Sequence, residues 1–293
     1  MKEGIVIPKA LIISVTIKCN LNCTGCYSRG RQADKELSLE EIDRLISEAK
    51  SLGIFLFLIS GGEPFLKDGI LDVLSSHNDA LFWIFTNGTL FDETLADSIK
   101  KCKNIFPFFS IEGFKKETDN WRGQGTYDKL MSAMHLSKKR NIQFGFSSVL
   151  TNRNINTVTQ DEFIESMIKE GCKAGIYLDY KHIDRNLPDS FSYSEEDKSY
   201  VKNAVDKYNK KDDILLVHQD SWEMIEGGCC GYGRGMLHIN SEGFVEPCPM
   251  VRMPVDNIKE KTLKNILKEK SFLKMWQKQS LSGCQAGLPC INH

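Results

Sequence analysis

Three cysteines near the start, in the run Cys19-Asn20-Leu21-Asn22-Cys23-Thr24-Gly25-Cys26, are spaced so that their sulfurs can meet one inorganic group. A loop of this size lets three thiolates hold three corners of a cubane iron–sulfur cluster, because soft sulfur ligands suit such centres. No fourth cysteine or histidine follows nearby, so one iron would stay open to an exchangeable ligand. Electron-transfer ferredoxins instead close the site with four cysteines. Zinc is the alternative occupant, although structural zinc usually takes four ligands. Five further cysteines lie between Cys229 and Cys290, and the chain has ten in all. Glu3 and Pro8 break the N-terminal apolar stretch and no cleavage site follows, so no export signal is expected. Metal or redox chemistry in the cytoplasm is then the better reading than disulfides. Cys102 and Cys172 stand alone and read as buried structural thiols.

The elements that must position these residues follow from an alternation of apolar runs and amphipathic stretches between about residues 11 and 180. Strands are predicted at 11–17, 54–60, 82–88, 104–113, 142–151 and 175–180. Their nearly continuous apolar character marks parallel strands covered on both faces. Helices fit at about 39–53, 66–77, 91–101, 126–140 and 157–170. In the first of these Ser38 is the expected N-cap, and Leu39, Ile42, Leu45, Ile46 and Ala49 share one face. Six β/α units predict a parallel sheet with right-handed crossovers, and six are too few for a closed eight-stranded barrel. The fold class is therefore α/β, an open or partial (β/α)6 TIM-like barrel, whose site lies at the carboxyl ends of the strands. The cysteine loop, Gly61-Gly62-Glu63-Pro64, Thr86-Asn87-Gly88 and Ser110-Ile111-Glu112-Gly113 all fall at such ends. After about residue 185 the alternation stops. A charged helix at 194–210, a Gly- and Cys-rich tract, a hairpin turning at Ser241-Glu242-Gly243 and a last helix at 262–279 form a small α+β part. The expected division is 1–190 for the barrel and 191–293 for the rest.

The three-cysteine motif behind a buried strand, with Tyr27 after its last cysteine and Gly61-Gly62-Glu63-Pro64 after the second strand, resembles the radical S-adenosylmethionine superfamily over roughly residues 10–180. The resemblance implies that Cys19, Cys23 and Cys26 hold a catalytic [4Fe–4S] cluster. Its open iron would chelate S-adenosylmethionine. The Gly61-Gly62-Glu63-Pro64 segment would meet the methionine ammonium, and Tyr27 would pack near adenine. Asn87, Ser110, Glu112 and Ser148 stand where the family places ribose and carboxylate contacts, with Asn152 and Asn154 as weaker candidates. The fourth strand ends in Ser-Ile-Glu-Gly where many peptide-modifying relatives have Ser-Leu-Asp-Gly, so Glu112 could serve the substrate instead.

Cys229, thirteen residues, Gly243, four residues and Cys248 resemble the opening of the SPASM or twitch extensions that hold auxiliary iron–sulfur clusters. With Cys284 and Cys290 they imply one further [4Fe–4S] cluster; Cys230 is a rival ligand and zinc the alternative metal. His238 reads as a strand histidine or as a partner to a ligand. The segments around Ser110–Tyr127 and His238–Cys248 also resemble a subgroup of radical S-adenosylmethionine proteins of anaerobes. The family chemistry implies reductive cleavage to a 5′-deoxyadenosyl radical, fed by flavodoxin or ferredoxin, and sensitivity to oxygen. Strand one begins about ten residues from the start, which leans toward a small metabolite or cofactor precursor as substrate over a peptide side chain. A non-catalytic iron–sulfur or zinc scaffold is the reading from another class.

Composition narrows the rest. A formal net charge of −1 and 26% charged residues leave no basic stripe for nucleic acid. No run of about 18 apolar residues exists to cross a membrane.

Overall fold

A computed structural model describes residues 5–182, 189–194, 196–219, 231, 235–270 and 272. Contacts gather the chain into two compact units. The first comprises Met1–Asn20, Tyr27–Ile84 and Glu223–His293; the second comprises Leu21–Cys26 and Phe85–Trp222.

The first unit holds β1 (Ala10–Thr16), α1 (Leu39–Ser51), β2 (Leu56–Gly61), a 3-10 turn (Pro64–Leu66), α2 (Ile70–Ser76) and β3 (Leu81–Thr86), whose last two residues count with the second unit. Helix α1 starts at a capping box: Ser38 accepts from the Glu41 amide and Glu41 accepts from the Ser38 amide. Its buried residues are Ile42, Leu45, Ile46 and Ala49, the face expected from the spacing. Strands β1 and β2 pair in parallel from Ala10 opposite Leu56 to Ser14 opposite Ser60, then slip so that Thr16 faces Gly61. The same unit contains β8 (Met236–Ile239), β9 (Phe244–Glu246), β10 (Asp256–Asn257) and α9 (Leu263–Lys268). The hairpin β8–β9 is antiparallel, as expected, but β8 also pairs in parallel with β1, from Ala10 opposite Met236 to Ile13 opposite Ile239. Pairing between residues this far apart leaves no local mark in the sequence.

The second unit runs through α3 (Glu93–Lys101), β4 (Ile105–Ser110), α4 (Lys115–Arg122), α5 (Thr126–Lys139), β5 (Gly145–Leu150), α6 (Ile155–Val158), α7 (Asp161–Glu170), β6 (Ala174–Asp179), α8 (Lys198–Lys211) and β7 (Leu215–His218). Strands β4 to β7 lie side by side in chain order, all parallel. Buried Phe108, Phe109, Phe144, Phe146 and Phe163 fill the space between strands and helices. Strand β7 carries the alternation beyond the expected end near residue 185; with only four residues and Leu215 exposed, it lacks a long apolar run. Helix α4 was absent from the sequence expectation because it is short and charged and buries only Thr118 and Asp119. No helix among the described residues is long and apolar enough to cross a membrane.

A buried polar chain ties the hairpin to the front of the first unit. His238 is fully buried and joins Ser14 Oγ at 2.8 Å through Nε2 and Glu246 Oε2 at 2.9 Å through Nδ1. Arg31 donates to both Glu246 oxygens at 3.0 and 2.9 Å and to the Pro249 carbonyl at 2.9 Å. Burial drives the His238 pKa below its ordinary 6.5, against the pull of Glu246. Burial would raise the Glu246 pKa, but His238 and Arg31 together hold it below its usual value. Both folded-state values are depressed, so both groups bind protons more readily when unfolded. The thermal midpoint is therefore expected to fall as pH drops below about 6.5. Glu246→Ala strands the buried Arg31 charge and is expected to cost roughly 3–5 kcal/mol. Thermal and denaturant unfolding check both; a flat profile from neutral to acid pH would refute the first.

Candidate functional site

In the first unit the segment entering the cysteine loop is pinned by backbone. The Gly62 amide donates to the Thr16 carbonyl at 2.7 Å and the Glu63 amide to the Lys18 carbonyl at 2.8 Å. A Cβ on Gly61 would lie 2.2 Å from the Thr16 oxygen, and one on Gly62 would lie 2.0 Å from the Lys18 oxygen. Glycine is thus required at both places by the close approach of the chain to itself. Glu36 accepts from the Ile17 amide and the Thr16 hydroxyl, each at 2.8 Å. Glu63 is fully buried and caps the 3-10 turn by accepting from the Phe65 amide; Pro64 is also buried. Beside them the Ser60 hydroxyl is buried with no protein partner. Cys19 is exposed and Tyr27 half-buried. Arg252 donates to the carbonyls of Tyr27 and Arg29.

In the second unit the other half of the loop rests on the end of α4. The Thr24 amide donates to the Trp121 carbonyl at 2.8 Å. Gly25 has φ +67°, and a Cβ there would lie 2.8 Å from the Trp121 ring and 3.0 Å from Tyr180. Trp121 is itself met edge-on by Tyr180 and Phe191. The next residue, Arg122, pairs with Glu112 at 2.5 Å, the two side chains being 12% and 2% exposed. The second Glu112 oxygen accepts from the Val149 amide at 2.8 Å. Burial pushes the Glu112 carboxyl up while Arg122 favours its charged form. Burial likewise opposes the Arg122 charge, but Glu112 and then Cys23 and Cys26 raise its pKa above the ordinary value. Arg122 Nε remains buried with no protein partner. A cavity of about 460 Å³ opens here, lined by Thr24, Glu112, Lys116, Trp121, Arg153 and Asn154 among others.

The remaining candidates differ in burial and in hydrogen-bond partners. Ser148 is fully buried and donates to the Ile111 carbonyl at 2.5 Å. Asn87 is buried and accepts from the Thr89 amide and hydroxyl. Ser110 is half-buried, 3.3 Å from the Ser147 hydroxyl. Asn154 is buried and donates to the Glu112 and Val149 carbonyls; Asn152 is exposed. Sequence reasoning missed Glu36, Trp121 and Arg122, for which no local motif speaks.

Cys23 is half-buried and Cys26 exposed. Among the described residues no three His, Cys, Asp or Glu side chains gather closely enough to hold a metal ion. The chemistry of the donors, three cysteine thiols within eight residues of chain, suits a thiolate-held iron–sulfur cluster. Cys172 is buried and burial pushes its thiol pKa up, while Cys102 is half-buried and donates to the Ser98 carbonyl. Of the C-terminal set, Cys248 is half-buried in a turn closed by Val251. Cys229, Cys230, Cys284 and Cys290 lie outside the described residues.

Residues 13–167, more than half of the chain, match the radical SAM superfamily, and residues 229–290 match the SPASM iron–sulfur cluster-binding domain. The chain belongs to the radical SAM superfamily. It is 24% identical to an AdoMet-dependent heme synthase of Methanosarcina barkeri, over 94% of this chain and 87% of that protein. It is 26% identical to the mycofactocin maturase MftC of Mycolicibacterium smegmatis, over 96% of this chain and 73% of that protein. Streptococcus suis SuiB bound to S-adenosylmethionine shares the fold at a TM-score of 0.78 and 18% identity, over 90% of this chain and 66% of SuiB. The protein is thus an α/β radical SAM enzyme that uses a [4Fe–4S] cluster and S-adenosylmethionine, with an iron–sulfur-binding C-terminal part.

Gly25→Ala meets both a left-handed backbone, worth about 1–2 kcal/mol, and the Trp121 ring. It is expected to lower cluster loading by half or more while far-ultraviolet circular dichroism stays native. Iron and sulfide assays after anaerobic reconstitution decide, and wild-type loading would refute it.

Proposed function

We propose that Cys19, Cys23 and Cys26 hold the catalytic cluster and that residues around them bind S-adenosylmethionine. The observation that carries this reading is the pinning of the loop by backbone, from Gly62 and Glu63 at Thr16 and Lys18 and from Trp121 at Thr24. Such fixing holds each end of the loop within its own unit by main-chain bonds that leave the thiols unused. Gly61, Gly62, Glu63 and Pro64 form the methionine-binding turn, where the buried Glu63 carboxylate supplies charge for an ammonium. Tyr27 packs near adenine, and Ser110 offers a hydroxyl to the ribose. Asn87, Glu112 and Ser148 act one step back, since their hydrogen bonds hold the turns on which such contacts stand. When bound, the cluster and S-adenosylmethionine supply one-electron cleavage to methionine and a 5′-deoxyadenosyl radical, which removes a substrate hydrogen. The chain's own part is to bind, orient and exclude groups that would quench the radical.

The division of labour we favour is 1–190 for the radical core and 191–293 for the auxiliary part. It is a division of function, since β7 pairs with β6, α8 packs on β7 and β8 pairs with β1. Cys229, Cys248, Cys284 and Cys290 would hold one auxiliary [4Fe–4S] cluster. A flavodoxin or ferredoxin in the cytoplasm would supply the electron.

The substrate is a small metabolite or cofactor precursor. The 460 Å³ cavity beside Thr24 suits a small ligand, and the similarity to the heme synthase spans most of both chains. The similarity to a maturase over 96% of this chain supports peptide modification as the second reading. Anaerobically reconstituted, dithionite-reduced enzyme is expected to release 5′-deoxyadenosine, and Cys19/Cys23/Cys26→Ala is expected to abolish release. A triple variant as active as wild type would overturn the ligand assignment. Deuterium entering 5′-deoxyadenosine from the small-molecule fraction of a deuterated extract, and not from its peptide fraction, is the expected result for the first substrate reading; the reverse favours the second.

A further inference from the structure

Arg122 is placed against the cluster loop by covalent neighbourhood and by burial. Its neighbour Trp121 takes the Thr24 amide and meets Gly25, so Arg122 directly follows the residue on which the Cys23–Cys26 segment rests. Its guanidinium is anchored on one side only, by Glu112, which is itself fixed by the Val149 amide. Nε is buried with no protein partner, an uncommon cost for a guanidinium unless an anion faces it. The field of Cys23 and Cys26 reaches it.

We infer that Arg122 is a positioning residue that holds a fixed positive charge beside the catalytic cluster and raises that cluster's affinity for its electron. This rests on the assignment of Cys19, Cys23 and Cys26 as ligands. Reduction adds one negative charge to an already anionic thiolate-held cluster, and a nearby buried cation stabilises the more negative state. Glu112 has the opposite sign and is the anchor that keeps the cation in place. Lysine would keep the charge but lose the forked geometry.

The test is an EPR-monitored potentiometric titration of the anaerobically reconstituted full chain. The Cys19/Cys23/Cys26→Ala variant serves as the blank for any auxiliary cluster. Arg122→Gln is expected to reduce the ratio of reduced to oxidised cluster at a fixed potential about tenfold, about 59 mV for a one-electron couple. Arg122→Lys is expected to restore most of that loss. A fully loaded Arg122→Gln with wild-type titration overturns the inference, as does Arg122→Lys behaving like Arg122→Gln. Loss of the cluster in Arg122→Gln but not in Arg122→Lys supports a requirement for the charge; loss in both overturns it in favour of packing. If the triple variant keeps the titrating component, the ligand assignment itself fails, and that failure is read before any Arg122 result.

Discussion

A guanidinium and a carboxylate can both be buried only as a pair, and the Glu112–Arg122 contact imposes that condition on the second unit. Glu112 stands just beyond β4, its second oxygen takes the Val149 amide of β5, and its carbonyl takes Asn154. Two strands and one helix end thus converge on one ion pair. Because Arg122 closes α4, the pair sets where that short helix stops and where the Trp121 carbonyl points. That carbonyl receives Thr24, and the Trp121 ring leaves room only for a glycine at position 25. The helix itself is charged and buries little, so tertiary contacts rather than intrinsic propensity hold it.

The first unit is organised around the carboxyl end of β1. Thr16 and Lys18 give their carbonyls to the turn after β2, Thr16 and Ile17 are held by Glu36, and Ser14 is held by His238. The residues that match a cofactor-binding signature therefore have a second duty, since Gly61 and Gly62 let β2 end against the strand that launches the cysteine loop. The chain Ser14–His238–Glu246–Arg31 makes the C-terminal hairpin part of the same sheet. Cys248 follows that hairpin by two residues, so its place is inherited from a network that begins on β1.

Much of this was legible from residue types and periods. Apolar runs gave the parallel strands, and Ser38 with Glu41 marked the start of α1. Cys19, Cys23, Cys26 and the Gly61–Pro64 turn named the chemistry because their spacing is short and their residue types are restrictive. Three features were not legible. Strand β7 is short and half exposed, α4 lacks an apolar stripe, and β8 meets β1 across more than two hundred residues. Asn87, Glu112 and Ser148 look alike as polar residues at strand ends, yet each is buried and bonded to a different part of the chain.

The sequence by itself determined the reaction class, because three thiols and a glycine-rich turn at fixed local spacing carry their chemistry wherever the chain places them. Only the tertiary structure decided which charges stand beside those thiols. Arg122 acquires its partner Glu112 from ten residues back and its neighbours Cys23 and Cys26 from nearly a hundred, and an electrostatic field depends on distance in space, which no local pattern of residues records.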